Sequence, residues 1–217
     1  MNVFLSRDKP SELLQKKADL SGWSLICFSC IEFSLINEIK PPETEWIFFY
    51  SPSAVKLFAN NFNVRSFRFA ALGEGTADTM RNFGIQPEFI GKSSDTSKAI
   101  EEFSGVIKPT ENVVQARGER SFERLREKLP PSQILDWPFY RTRAKQELTE
   151  ATADYYIFTS PSNAEAYLGK FDLPVNAVVL VFGESTKAAV EKYSTAEVYV
   201  TTLPGEEGAL RIMKKLS

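Results

Sequence analysis

The sequence predicts an α/β protein of two flavodoxin-like domains, each with a parallel sheet between helices, and three observations carry that prediction. A strand, turn and helix signature occurs twice, about half a chain apart. The strand candidates are apolar throughout rather than alternating, as in parallel strands covered on both faces. They also interleave with stretches whose apolar residues recur at helical spacing.

From the N-terminus, a strand is expected near 3–6, a helix near 11–19 and a strand near 25–29. These elements are too few to form a domain alone. The first copy of the signature follows. Trp46-Ile47-Phe48-Phe49-Tyr50 reads as a strand, Ser51-Pro52-Ser53 as a tight turn, and Ala54, Val55, Leu57, Phe58 and Phe62 as the apolar positions of a helix. It runs on into a second strand, Phe67-Arg68-Phe69-Ala70-Ala71-Leu72, and then Gly73-Glu74-Gly75-Thr76. A helix near 97–103, a strand near 112–115 and a helix near 122–129 come next.

The second copy repeats this order. Tyr155-Tyr156-Ile157-Phe158-Thr159 precedes Ser160-Pro161-Ser162, and Ala164, Ala166, Tyr167 and Leu168 mark a helix running toward Phe171. Then come Ala177-Val178-Val179-Leu180-Val181-Phe182 and Gly183-Glu184-Ser185-Thr186, a strand near 197–201 and a helix near 206–216. The distance from Ser51 to Gly73 nearly equals that from Ser160 to Gly183, so the repeat extends well beyond the identical triplets.

The second copy holds three strands, which the N-terminal elements would complete to five. The first domain is therefore expected to be discontinuous, 1–33 and 147–217, with the second, 37–140, inserted into it. Linkers would cover 31–39, leading to Pro41-Pro42, and 139–146.

Composition narrows the chemistry. With 26 basic and 28 acidic residues the formal charge is -2, so no general positive field is available for a nucleic-acid backbone. No secretory leader and no apolar run of membrane-spanning length is present, so a cytoplasmic, soluble chain is expected. Histidine is absent, which removes the commonest general base and metal ligand and with them His-based triads and zinc hydrolases. Cys27 and Cys30 form a CxxC, but strand alternation would send them to opposite faces, against redox or metal use.

The turn motifs suit anions. Serine is a favourable N-cap and proline fits the first helical position. Helix starts at the carboxyl ends of strands offer unpaired backbone N–H groups and the positive end of the helix dipole. The glycine motifs add further starts of the same kind, with room for close approach and with hydroxyl donors. Ordinary capping explains any one copy; matched pairs argue for a ligand. Nucleotide motifs do not fit: Asp78 stands where a dinucleotide fingerprint needs glycine, and no Walker lysine follows. Ser6-Arg7-Asp8-Lys9-Pro10 is no hydroxyl-rich phosphate loop.

These motifs in this order, with Ser6-Arg7 after the first strand, Ala116-Arg117-Gly118 in the middle of the chain and Phe139-Tyr140-Arg141-Thr142 at the return crossing, resemble the uroporphyrinogen-III synthase family. The resemblance covers nearly the whole chain. It implies two domains joined by a two-stranded linker, and a lyase that cyclises hydroxymethylbilane, a tetrapyrrole with two carboxylates per ring, to uroporphyrinogen III in a cleft. Water is lost and ring D is inverted through a spiro intermediate. No cofactor and no metal are implied.

By the same resemblance Tyr140 stands at the family's cleft tyrosine, as a donor to the departing hydroxyl. Ser51, Ser53, Thr76, Ser160, Ser162, Ser185 and Thr186 would bind substrate carboxylates, with Arg117 and Arg7 adding charge-assisted bonds. Arg120, Arg124 and Arg126, interleaved with Glu119, Glu123 and Glu127, read as a solvated face. Departures from the family pattern are Lys187, Tyr193-Ser194 at a helix end, and the lack of a proline near Cys30. The rival reading is a non-catalytic module that binds a carboxylated metabolite or tetrapyrrole. A pair of receiver domains fails for want of a repeated acidic pocket. A monomer is expected, since no apolar surface stripe is evident.

Overall fold

The computed structural model describes residues 1–217 except 37–39, 64–66, 94, 120–123, 204 and 217. In chain order the elements are β1 (Asn2–Leu5), α1 (Glu12–Ser21), β2 (Ser24–Cys27), β3 (Ile31–Leu35), β4 (Trp46–Phe49), α2 (Pro52–Asn61), β5 (Arg68–Ala71), α3 (Glu74–Asn82), β6 (Phe89–Ile90), α4 (Thr96–Ser104), β7 (Val113–Gly118), β8 (Ile134–Ala144), β9 (Tyr155–Phe158), α5 (Pro161–Leu168), β10 (Val178–Val181), α6 (Glu184–Glu191), β11 (Val198–Val200) and α7 (Gly205–Leu216). Two compact units result. Unit 1 is Met1–Glu32 with Arg143–Ser217, and unit 2 is Phe33–Thr142.

Unit 1 is built on a sheet of order β11-β10-β9-β1-β2 whose neighbours are all parallel. The central strands β9 and β10 are apolar throughout, and β1 is so after Asn2, because both faces are covered. Val3, Leu5 and Ile157 meet Leu14 of α1 and Met213 of α7 on one side. Phe4, Tyr156 and Phe158 meet Ala164 and Tyr167 of α5 and Val190 of α6 on the other. The two cysteines divide in the same way, Cys27 toward the first cluster and Cys30 into the second.

Two buried phenols anchor the segment that leads into β9. The Ala151 N–H donates to the Tyr167 oxygen and the Tyr156 hydroxyl donates to the Ala151 carbonyl. Burial pushes both phenols above the usual tyrosine range, so they serve as fixed neutral donors and acceptors.

Unit 2 has the order β3-β8-β7-β4-β5-β6, with β8-β7, β7-β4, β4-β5 and β5-β6 parallel. Ile47, Phe49, Phe58, Phe69 and Trp137 share one core cluster; Trp46, Phe48, Ile100, Phe103 and Leu125 share the other. Gly91, just past β6, has a packing reason to be glycine: a Cβ there would lie 2.2 Å from the Leu72 carbonyl oxygen.

One expected element differs from that observed. The helix expected over 122–129 is a 3₁₀ turn at Arg124–Glu127, with 120–123 outside the described residues. Pro130 disfavours helical dihedrals at Leu129 and closes the segment early. The return crossing over 139–146, expected as one half of a two-stranded linker, holds the second half of β8, which lies beside β3, begins earlier than expected, at Ile134, and pairs with β7. Pro138 argues against an interior strand because it lacks an N–H. Here it sits beside a register irregularity between Arg117 and Gly118, where ladder bonding is already interrupted. The linker expected over 31–39 contains β3; residues 37–39 lie outside the described set.

Candidate functional site

Each unit carries two helix starts at the carboxyl ends of adjacent strands. In unit 2, Ser51 has extended dihedrals, Pro52 opens α2, and the Ser51 hydroxyl accepts the Ala54 N–H at 3.3 Å. In unit 1, Ser160 does the same for Asn163 at 3.3 Å, with Pro161 opening α5. Serine thus satisfies one orphan N–H and proline removes another. The N–H groups of Ser53 and Ser162 make no hydrogen bond among the described residues.

The glycine motifs cap differently. Gly73 and Gly183 are extended and contribute no side-chain cap. Their carbonyls accept from Thr76 and Ala77, and from Thr186 and Lys187. The N–H groups of Glu74 and Gly75 in α3, and of Glu184 and Ser185 in α6, remain without a partner among the described residues. A Cβ built on Gly183 would meet nothing within 4 Å. The chain's own packing therefore gives no reason for glycine there.

The candidate residues gather in two groups. Because β4 pairs with β5, Ser51 and Ser53 lie near Thr76. Because β9 pairs with β10, Ser160 and Ser162 lie near Ser185 and Thr186. Ser162 and Ser185 are exposed and Ser51, Ser53 and Ser160 half-buried, whereas Thr76 and Thr186 are buried.

Arg117 is buried and committed within unit 2. Its Nε and Nη2 each lie 2.7 Å from a different oxygen of Asp136, and Nη1 donates to the Gly118 and Glu119 carbonyls. This bidentate pairing occupies the edge that a substrate carboxylate would take. The pair continues inward: Gln115 donates to Asp136 and accepts from the Tyr50 hydroxyl, which itself accepts the Leu125 N–H. Burial raises the Tyr50 phenol above its usual range. Arg117 thus braces the end of β7 next to the strand that feeds Ser51.

Tyr140 sits opposite Gly118 just after the register irregularity. Its ring is buried edge-on against Phe33 and Phe139, at 5.7 and 5.1 Å between centroids. Its hydroxyl has no hydrogen bond among the described residues, in contrast to the donor bonds of Tyr50 and Tyr156.

Sequence reasoning missed three polar residues that fix these parts: Asp136, Asn163 and Glu206. The Asn163 amide oxygen accepts the Cys30 N–H at 2.8 Å and its nitrogen donates to Ser160. Burial pushes the neighbouring Cys30 thiol up to about 12. The Glu206 carboxylate is buried beneath the loop after β1. Among the described residues, no group of three or more His, Cys, Asp or Glu is placed to share a metal ion, and no helix is long and apolar enough to cross a membrane.

Two parallel-sheet units, each ending in adjacent helix starts with unpaired N–H groups, define a duplicated α/β protein with seats for anionic groups. The fold is similar to that of uroporphyrinogen-III synthetase from Helicobacter pylori 26695, with a TM-score of 0.69 and 19% identity over 100% of this chain and 99% of that one. A mutant uroporphyrinogen III synthase from the extreme thermophile Thermus thermophilus aligns at a TM-score of 0.54 and 14% identity, over 100% of this chain and 98% of that one. No curated protein sequence matches significantly. The family model for uroporphyrinogen-III synthase HemD matches residues 12–211, and the chain belongs to that family. Its members are lyases of haem biosynthesis, and the family reaction is cyclisation of hydroxymethylbilane.

Proposed function

We propose that the chain performs its family's cyclisation by seating carboxylates of hydroxymethylbilane on the helix starts of both units. The observation that supports this most is the matched set of unpaired N–H donors, Ser53, Glu74 and Gly75 in unit 2 and Ser162, Glu184 and Ser185 in unit 1. Hydroxyls of Ser51, Ser53, Ser160, Ser162 and Ser185 add donors around them. Thr76 and Thr186, being buried, contribute chiefly through the shape of the helix start. Arg117 contributes by bracing unit 2 against Asp136.

On this reading the terminal hydroxymethyl carbon loses its hydroxyl as water, leaving a cation conjugated to the pyrrole. The substituted carbon of the last ring attacks it to form a spiro intermediate, which opens and recloses with ring D inverted, and loss of a proton from the newly bonded ring carbon then restores the neutral pyrrole. Direct closure to the uninverted isomer needs no enzyme, so the protein's work is to hold one folded conformation and exclude the competing attack. Tyr140 would donate a hydrogen bond or proton to the departing hydroxyl. Its uncommitted hydroxyl, on a ring fixed by Phe33 and Phe139, supports that role.

The two compact units would be the two domains, 1–33 with 147–217 and 37–140, with linkers at 31–39 and 139–146. We take the chain to act as a monomer, since its exposed large apolar residues, such as Leu20 on α1, Val106 in the loop after α4 and Val175 in the loop before β10, are far apart in sequence. Two free cysteines fit a reducing cytoplasm.

The test is anaerobic reaction of purified protein with freshly made hydroxymethylbilane, then oxidation and chromatographic separation of type I and type III uroporphyrins. Protein-dependent type III product is expected. Type I alone, at the spontaneous rate, would overturn the reading and leave a binding module. Tyr140→Phe is expected to lower kcat by about a hundredfold, the lower end of what a general acid contributes, with little change in thermal stability.

A further inference from the structure

We propose that Glu206 is a positioning residue that holds Arg7 ready to bind a substrate carboxylate at unit 1, an inference that rests on the carboxylate-seating reading above. Glu206 lies in the first turn of α7, in register with the buried Ala209 and Met213. An apolar residue would suit that position better than a carboxylate, whose burial is costly unless paired. Its side chain is nevertheless only 2% exposed.

Each of its oxygens has one partner, and both partners come from the segment after β1. Oε1 accepts from Arg7 Nη1 at 3.0 Å and Oε2 accepts the Ser11 N–H at 2.6 Å. Ser11 is the N-cap of α1. One buried carboxylate therefore ties both ends of the 7–11 segment. The start of α7 has little freedom of its own, since a Cβ on Gly208 would lie 2.4 Å from the Leu203 carbonyl oxygen.

Arg7 follows Ser6, whose hydroxyl accepts the Thr159 N–H at 2.8 Å, and Thr159 immediately precedes the Ser160 helix start. Arg7 therefore stands at the carboxyl end of β1, beside that of β9 and the motif that follows it. Its side chain is 51% exposed. Glu206 takes only Nη1, and the Nε and Nη2 edge bears no hydrogen bond among the described residues. That is the edge which Asp136 fills on Arg117. Of these two arginines, Arg7 keeps the bidentate edge for a ligand.

The test is steady-state kinetics with hydroxymethylbilane at known folded-protein concentration. Arg7→Gln is expected to raise KM about tenfold, as for loss of a charge-assisted hydrogen bond, with kcat nearly unchanged. Glu206→Gln is expected to raise KM by about threefold or more, and the double variant to match Arg7→Gln alone, because Glu206 acts through Arg7. Should Glu206→Gln fail to fold, Glu206→Asp keeps the charge but shortens its reach, and its KM is expected to rise only when Arg7 is present. A purely structural Glu206 would lower thermal stability and leave KM unchanged, which overturns the proposal. So would an unchanged KM in Arg7→Gln, or equal effects of Glu206→Gln with and without Arg7. The unsubstituted chain is the control: if it makes no type III product, the functional reading falls and this proposal with it, whereas type III product with unaltered KM values sinks only this proposal, the paired roles of Arg7 and Glu206.

Discussion

The two Ser-Pro-Ser helix starts share three residues and part at the fourth, where unit 2 has Ala54 and unit 1 has Asn163. Ala54 is buried in the apolar core between α2 and the sheet. Asn163 is equally buried but polar; it reaches back to Ser160 and out to the Cys30 N–H, just before β3. The comparison separates two tasks. Serine and proline start the helix in both units, while the next residue decides what else the turn holds. Unit 1 needs a partner for a backbone N–H buried where the chain leaves its sheet, because such a group is rarely left unpaired.

The largest expected effect comes from exchanging the fourth residues. Asn163→Ala strands the Cys30 N–H and is expected to cost about 2–3 kcal/mol in urea unfolding. Ala54→Asn, which buries an amide without a built partner, is expected to cost about 2 kcal/mol. If both changes were neutral, the fourth position would not be what distinguishes the units. Next come the caps. Ser51→Ala is expected to lose about 1 kcal/mol, and Ser160→Ala somewhat more because Ser160 also accepts from the Asn163 side chain; equal losses would show that this extra bond contributes nothing.

The smallest effect on stability belongs to the glycine motif. Gly183 is extended, with open space where a Cβ would go, so Gly183→Ala should leave stability unchanged or raise it by up to about 1 kcal/mol. Its rate of type III product formation should nonetheless fall, since a methyl group would fill part of the open space at this helix start that the proposed function reserves for a ligand. A variant that is both stable and fully active would show that the glycine serves neither fold nor ligand.

Much of this architecture could be read from sequence because its signals are local. Continuous apolar runs marked β4, β9 and β10, a run broken only by Arg68 marked β5, and a serine followed by proline marked the first residue of α2 and of α5. β8 was partly hidden, since Pro138 imitates a break and only the irregular pairing with β7 accommodates it. The helix starts of the candidate site were equally legible, but their supports were not. Arg117 and Asp136 meet through adjacent strands, and no spacing in the chain links them. Glu206 left a usable trace: its helical register with Ala209 and Met213 places a charge on an apolar face, a conflict that calls for a buried partner.

The uneven distribution of aromatic residues makes the two units spectroscopically distinct. Trp46 and Trp137 are buried in unit 2, and Trp23 in unit 1 is only half-buried. Of seven tyrosines, all but Tyr50 and Tyr140 belong to unit 1. Indole emission therefore follows chiefly the opening of unit 2, while far-ultraviolet circular dichroism registers the helices of both. An unlabelled sample monitored by the two signals gives coincident transitions if the units melt together and separated ones if each melts alone.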